Sequence, residues 1–145
     1  MTTRTQTRPV LVLLPRLTDG RIILVRRETR WALPACPMPS ESELPAVVAD
    51  LLHKTTDYAP GRLTLLGEFR ASGTNHCFLV DDLCPSSFPP AHAGQTMTTS
   101  VHLYELKQMI RLGIIQCDAL IGSVRLLDAA GALDGAATVK QQFVK

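Results

Sequence analysis

Two kinds of hydrophobic pattern follow one another along the chain, and the first kind predicts strands. Val10–Leu14 is a continuous run of valine and leucine, and Arg21–Arg26 resumes this pattern after the turn Thr18-Asp19-Gly20. Two apolar runs on either side of an Asp-Gly turn predict a β-hairpin. Further strands are predicted at Leu63–Phe69 and at Cys77–Val80. The second of these is apolar at every position, as in a strand that is buried on both faces.

The second kind of pattern has the period of a helix. A first helix is predicted from Glu43 to Lys54, with Ser42 as its N-cap and Pro45 in its first turn. Two more are predicted at Leu103–Arg111 and at Ala119–Ala129. The apolar positions of the first helix recur three and four residues apart, as on one helix face: Val47, Val48, Leu51, Leu52.

The remaining segments predict short strands and loops. Trp31–Leu33 is extended and ends at a proline, and the prolines of Ala35–Pro39 exclude a helix or an inner strand there. Cys84–Gly94 is rich in proline and predicts a loop, and Val101–Leu103 predicts a short strand. Small residues from Ala130 onwards predict a frayed end.

This order of elements predicts an α+β protein, an α/β/α sandwich in which helices cover both faces of a mixed sheet. We expect one domain over residues 1–134 and a C-terminal tail over 135–145. The expected core has seven members: Val12, Leu24, Val48, Leu51, Leu52, Leu66 and Leu79.

Composition excludes several classes of protein. The chain has 145 residues, of which 46% are hydrophobic and 19% charged, as expected for one globular domain. A net charge of +2 is too small to argue for a nucleic acid or an acidic membrane as partner. No apolar run is long enough for a transmembrane helix, and the run Val10–Pro15 is too short for the core of a signal peptide.

The four cysteines are scattered, without a C-x-x-C motif: Cys36, Cys77, Cys84 and Cys117. Without an export signal, we expect a cytoplasmic protein with four reduced thiols rather than zinc ligands or disulfides. Cys77 lies in the fully apolar strand and is interpreted as a core residue, not a nucleophile.

The segment from Trp31 to Asp57 resembles the signature of the Nudix family, G-x5-E-x7-R-E-U-x-E-E-x-G-U, in which U is aliphatic. The spacing fits without a gap from Ala35, at the first glycine position, to Asp57. Glu41 stands at the first glutamate and Leu51 at the first aliphatic position. The residues ahead of the signature also match the family's W-x-L-P: Trp31, Leu33 and Pro34.

Elements outside the signature look like the family's flanking elements, so that the resemblance covers about residues 8–134. They are the apolar runs that end in Arg26-Arg27, the segment Val101–Lys107 and the step Gly113-Ile114-Ile115 into the last helix. The resemblance implies a Nudix-like fold. It also implies hydrolysis of a nucleoside diphosphate linked to another moiety, with Mg²⁺ or Mn²⁺ as cofactor.

The sequence departs from the family where the metal is held. Ala49 and Asp50 replace the arginine–glutamate pair, and His53 and Lys54 replace the paired glutamates that hold Mg²⁺ against the substrate in the family. A charged lysine has no lone pair to give, and an imidazole nitrogen suits this hard cation poorly. Asp50 and Lys54 are instead spaced as a favourable i,i+4 ion pair, worth about 0.3–0.5 kcal/mol. We interpret this segment as a solvated helix face.

Glu41 and Asp50 remain the candidate catalytic residues if hydrolysis occurs. With His53 they would form the metal set, and an imidazole–carboxylate set also suits Zn²⁺ or Mn²⁺. Other acids that could supply ligands stand later in the chain: Asp81, Asp82 and Glu105. The pair Asp81-Asp82 is interpreted as a solvated strand edge. The remaining histidines have no mutual spacing of a metal site and are interpreted as surface or strand-end residues: His76, His92 and His102.

Basic residues cluster just ahead of the signature and are candidates for phosphate binding. Arg26, Arg27 and Arg30 lie close together, and a guanidinium matches phosphate oxygens. A solvated strand end is the alternative. Trp31 is a candidate for stacking a base or for packing the loop, and Lys54 completes the set of candidate substrate-binding residues.

The sequence therefore predicts a Nudix-family hydrolase whose Mg²⁺-dependent activity is weak or absent. The alternative is a catalytically silent domain that binds a nucleotide, a phosphate-containing small molecule or another protein.

Overall fold

A computed structural model of the chain describes residues 8–85 and 97–137, in which strands and helices follow in a mixed order. A 3-10 turn at Glu41–Glu43 precedes the first helix. The strands and helices of the described residues are β1 (Val10–Pro15), β2 (Ile22–Arg27), β3 (Arg30–Ala32), β4 (Ala35–Pro37), α1 (Leu44–Thr56), β5 (Tyr58–Ala59), β6 (Arg62–Arg70), β7 (Thr74–Asp81), β8 (Cys84–Pro85), β9 (Thr98–Val101), α2 (Leu103–Arg111) and α3 (Asp118–Ala137).

Sheet A has four strands in the order β4-β1-β7-β6 and is mixed. β1 runs parallel to β7 and antiparallel to β4, and β6 and β7 form an antiparallel hairpin. The central pair consists of β1 and β7, whose apolar runs Leu11–Leu14 and Cys77–Val80 are buried. A strand covered on both faces needs apolar side chains at successive positions, which explains why these runs do not alternate.

The predicted hairpin between the first two apolar runs is wrong. β2 lies in a separate three-stranded sheet, sheet B, in the order β3-β2-β9. At the turn after β1, Arg16 forms a bridge with Ile22 and the Leu17 N–H donates to the Arg21 carbonyl at 2.8 Å, but β1 and β2 do not pair as strands. The physical reason is that β4 and β7 already hydrogen-bond to both sides of β1, so β1 has no edge left for β2.

The two faces of sheet A carry two hydrophobic cores. One core lies under α1 and joins Val48 and Leu52 to the inward side chains of β1 and β7, among them Leu11 and Leu13. The other lies between sheet A, sheet B and helices α2 and α3, and it contains Val12 and its neighbours. Successive side chains of a strand point to opposite faces of the sheet, so β1 and β7 each contribute to both cores. This arrangement confirms the predicted α+β sandwich with a mixed sheet.

The expected core residues do not share one core, because sheet A divides them. Val48, Leu51 and Leu52 belong to the core under α1. The other four belong to the core on the opposite face: Val12, Leu24, Leu66 and Leu79. Leu51 and Leu66 are only partly buried, whereas the other five are buried.

Helix α1 begins one residue later than predicted and ends close to the predicted place. Ser42 does not cap it, because the 3-10 turn occupies this position and Glu43 becomes the N-cap residue. Pro45 lies in the first turn, as the sequence predicted. At the other end Asp57 adopts a left-handed conformation with φ 65°, and its backbone N–H donates to the Leu52 carbonyl. This geometry ends the helix.

Most other predicted elements are present with adjusted ends. β9 replaces the strand predicted at Val101–Leu103, and α2 has the predicted bounds. α3 continues to Ala137, beyond the predicted end at Ala129. Most of the predicted loop Cys84–Gly94 and the end of the predicted tail lie outside the described residues. In the described part of the chain, no helix is long and apolar enough to cross a membrane.

The burial of α1 leads to a first testable prediction. The side chain of Leu52 points from α1 into the core and is fully buried, so Leu52→Ala should lower the free energy of unfolding by about 2–5 kcal/mol. Leu51→Ala is the matched control, because Leu51 is only partly buried and should cost clearly less. Denaturant unfolding measures both losses. Equal losses would contradict the orientation of α1.

A second prediction concerns Cys77. Burial raises the pKa of its thiol from 9.0 to about 11, against a smaller lowering by the neighbouring Ser123 hydroxyl. The unfolded thiol therefore ionises first. This group leaves the free energy of unfolding unchanged below about pH 9 and lowers it as the pH rises toward 11. Cys77→Ala should lack this part of the alkaline loss of stability in denaturant unfolding. Identical pH profiles for the two proteins would contradict the burial of the thiol.

Candidate functional site

The C-terminal half of α1 presents the residues that the Nudix resemblance places at the metal. Asp50 and Lys54 form an ion pair with 3.0 Å between the carboxylate oxygen Oδ2 and Nζ. This pair confirms the i,i+4 interaction predicted from the sequence. Both side chains are exposed, at 61% and 60%, so the pair contributes little to stability.

Arg27 approaches this part of the molecule from the end of β2. Its guanidinium donates a hydrogen bond of 3.3 Å to the backbone carbonyl of Ala35 in β4. The next residue, Cys36, packs against the core under α1. The end of β2, the edge strand β4 and helix α1 therefore meet around Cys36.

Three charged side chains influence the pKa of Cys36. Burial raises the pKa of its thiol above the ordinary value. The positive charges of Arg27 and Lys54 oppose this rise, and the carboxylate of Asp50 adds to it. We refer to Arg27, Cys36, Asp50 and Lys54 as the α1 polar group. Arg27 and Lys54 outweigh the one carboxylate, so the group carries a net positive charge.

The structure does not assemble the metal set of Glu41, Asp50 and His53. Among the side chains of residues 8–85 and 97–131, no three of His, Cys, Asp or Glu lie close enough together to hold a metal ion. Glu41 is exposed in the 3-10 turn ahead of α1, and Asp50 is engaged by Lys54. His53 is partly buried on the helix.

The chemistry of the α1 polar group does not fit Mg²⁺. This cation needs several oxygen ligands in near-octahedral geometry. Asp50 offers one carboxylate, and the ammonium of Lys54 already occupies one of its oxygens and repels a second cation. A residue that would orient carboxylates is also missing, because Ala49 stands at the family's arginine position.

The other basic candidates surround Trp31. The guanidinium carbon of Arg26 lies 5.6 Å from the centre of the indole ring, a cation–π geometry. Trp31 also packs against the core between the two sheets. Arg30 pairs in register with Arg27 across β2 and β3. The tryptophan therefore packs this corner of the fold, and Arg26 covers its ring.

The later acids serve the structure. Asp81 is buried and accepts two hydrogen bonds from Arg16, at 2.8 Å and 3.0 Å, so its interpretation as a solvated edge is wrong. Arg62 lies 3.9 Å from Asp81 and 3.7 Å from the exposed Asp82. Glu105 accepts a hydrogen bond from the backbone N–H of His102, in the capping box of α2.

The histidines outside α1 also have structural neighbours. His76 lies 3.5 Å from Glu68 on the neighbouring strand, and His102 caps α2 and stacks on Tyr104. His92 lies outside the described residues. These contacts agree with the interpretation of His76 and His102 as surface or strand-end residues.

Cys36 is the member of the α1 polar group that the sequence did not reveal. Its neighbour Ala35 stands at the first glycine of the signature, so its place at the start of the signature was visible. Its position between Arg27 and α1 depends on the pairing of β4 with β1, which is not visible in the sequence.

A concave surface lies on the face of sheet A opposite α1. This depression has a volume of about 430 Å³ and runs between the end of β6 and α3. Phe69 and Gly122 lie in its lining and pack tightly on each other. The depression is thus separated by the sheet from the α1 polar group.

Comparison with known proteins supports the fold rather than the sequence signature. No protein-family model matches the chain, and no curated protein matches it. A solved structure described as an ADP compounds hydrolase matches 92% of this chain and 77% of its own, with a TM-score of 0.72 and 13% sequence identity. A likeness at this identity shows the fold alone. The chain has the Nudix-like α+β fold that its sequence predicted.

Proposed function

We propose that this protein uses its Nudix-like fold to bind a nucleoside diphosphate linked to another moiety, and that it hydrolyses this ligand weakly or not at all with Mg²⁺ or Mn²⁺. The phosphates would lie at the α1 polar group. Arg26, Arg30 and Trp31 are the proposed contacts for the rest of the ligand.

Two observations support a phosphate-bearing ligand. The similar solved structure is described as a hydrolase of ADP compounds, so a related fold acts on a ligand of this class. In the α1 polar group, Arg27 and Lys54 carry the charge that phosphate oxygens require, and Arg27 is held in place by the Ala35 carbonyl.

The ion pair between Asp50 and Lys54 is the observation on which the proposal of weak activity rests. Glu41 and Asp50 remain the proposed catalytic residues for any residual hydrolysis, with His53 as a further ligand if a metal binds. A metal-activated water needs a cation that several oxygens hold and neutralise. Here the carboxylate of Asp50 is neutralised by an ammonium at 3.0 Å.

A second candidate function is a catalytically silent domain that binds a nucleotide, a phosphate or another protein. The same ion pair favours it, because such a domain needs a charged surface but no activated water. Turnover above background would favour the first candidate, and its absence together with ligand binding would favour the second.

Turnover with Mg²⁺ should be near background for nucleoside triphosphates, ADP-ribose, dinucleoside polyphosphates and NADH. The reason is the single available carboxylate in the α1 polar group. Phosphate release or chromatography of the products measures turnover, and a thermal shift with the same compounds measures binding. Rapid Mg²⁺-dependent hydrolysis would contradict the proposal. An absence of binding by every compound would contradict the nucleotide-binding part.

The informative variant restores the family's residues in one chain: Ala49→Arg, His53→Glu and Lys54→Glu. This triple variant should gain Mg²⁺ affinity, because it replaces an ammonium by carboxylates and adds an arginine to orient them. Calorimetric titration with MgCl₂ measures the gain. The single variant Ala49→Arg is the matched control and should gain none. If the triple variant folds and does not bind Mg²⁺, the lost glutamates are not the reason for weak activity.

A further inference from the structure

We infer that the depression between the end of β6 and α3 binds a small monocarboxylate with an apolar body. This inference goes beyond the proposed function, because sheet A separates the depression from the α1 polar group and the ligand needs no phosphate. The volume of the depression, about 430 Å³, lies in the range of about 300–1,000 Å³ that is usual for small-molecule sites.

A glycine opens the floor of the depression. Asp118, Gly122 and Arg125 follow one another on α3 at spacings of four and three residues, so they lie along one face of the helix. A Cβ atom at Gly122 would overlap the ring of Phe69, so the glycine is what allows the helix to approach this ring. An aromatic ring against bare helix backbone therefore forms the floor between the two charged residues.

Apolar side chains of α3 extend this floor. Ile121 and Leu126 line the depression, and both pack against the core between sheet A and sheet B. Phe69 packs against the same core and is also only partly buried. The core holds one side of each of these side chains in place, and the other side can be covered by the hydrocarbon or aromatic part of a ligand.

Two guanidinium groups reach the same depression from different elements. Arg70 is the last residue of β6, Arg125 lies on α3, and both line the depression. Across the residues that the structure describes, neither guanidinium forms an ion pair or a hydrogen bond. Their N–H donors are therefore available to a carboxylate, whose two oxygens match the fork of a guanidinium.

The third charged residue of the lining limits the charge of the ligand. Asp118 begins α3, where the helix dipole stabilises a carboxylate without help from an arginine. With two guanidiniums and one carboxylate, the lining carries one net positive charge. A singly charged carboxylate matches this charge, whereas a doubly charged phosphate would meet more repulsion from Asp118.

The test is an NMR titration of the full chain with phenylacetate, compared with its uncharged analogue phenylacetamide. Changes in the backbone amide resonances locate the bound compound, and their concentration dependence gives the Kd. Phenylacetate should shift the amides of residues 69–71 and 118–126 in a saturable way. Phenylacetamide should bind about fivefold more weakly or less well still, because it lacks the charge that the guanidiniums recognise. Equal binding of the two compounds would overturn the inference.

Arginine variants test the charged part of the site. Arg70→Gln and Arg125→Gln should each weaken phenylacetate binding about fivefold or more, as expected for the loss of a hydrogen bond between charged groups. The matched control is Arg111→Gln, which removes the same charge from an exposed position on α2, outside the depression. Equal losses in all three variants would overturn the inference, since net charge alone would then explain binding.

Glycine variants test the apolar floor. Gly122→Ala should weaken binding, because the added methyl group displaces the ring of Phe69. Gly131→Ala is the matched control on the same helix, since a Cβ atom there meets no other atom within 4 Å. Circular dichroism verifies that each variant is folded, and the arginine variants decide the matter if Gly122→Ala is not. A folded Gly122→Ala that binds as tightly as Gly131→Ala would overturn the inference.

The remaining outcomes separate this inference from the proposed function. Without saturable shifts at the depression, or with shifts confined to another surface, the inference fails. Tighter binding of inorganic phosphate than of phenylacetate at the same amides would overturn the choice of a monocarboxylate. None of these results bears on the α1 polar group. A chain that binds phenylacetate at the depression but binds no nucleotide would support the inference and contradict the proposed function.

Discussion

The parallel pairing of β1 with β7 is the interaction on which the rest of the structure depends. Leu11–Leu14 and Cys77–Val80 are buried on both faces of sheet A, so each face needs a cover. Their alternating side chains create one core for α1 and another for sheet B, α2 and α3. The pairing also occupies one side of β1, while β4 occupies the other, and this sends β2 into a second sheet.

The place of the candidate site follows from this arrangement. β4 pairs with the outer side of β1 and brings Cys36 under α1. β2 lies in sheet B and ends near Ala35, so the guanidinium of Arg27 reaches the Ala35 carbonyl. The charged groups thus come from two elements, β2 and α1, with Cys36 of β4 as their neighbour. The packing of the apolar core, not any attraction among the charges, sets their positions.

A Nudix-like fold at 13% sequence identity leaves the chemistry of the site to its own residues. By the resemblance of the sequence to the Nudix signature, an ammonium and an imidazole stand on α1 where that signature has glutamates. Lys54 suits the C-terminal dipole of the helix and pairs with Asp50. The charge of Asp50 is therefore offset within the helix itself.

The sequence by itself determined the features that depend on neighbouring residues. The apolar runs located the central strands, and the helical period located α1 and α2 within a few residues of their ends. The i,i+4 spacing of Asp50 and Lys54 sufficed for their ion pair. Residue identity alone also led to the prediction that the metal ligands of the Nudix signature are replaced.

Only the tertiary structure decided the features that depend on partners distant in the chain. The sequence paired β1 with β2, because a short turn makes that contact cheap in chain entropy, but β4 and β7 occupy both sides of β1. The sequence placed Asp81 in solvent. In the structure this carboxylate is buried against the guanidinium of Arg16, a partner 65 positions away in the chain that a local pattern does not reveal. The position of Cys36 between Arg27 and α1 likewise depends on sheet order. Strand partners compete for the same backbone hydrogen bonds, and a local pattern does not contain the outcome of that competition.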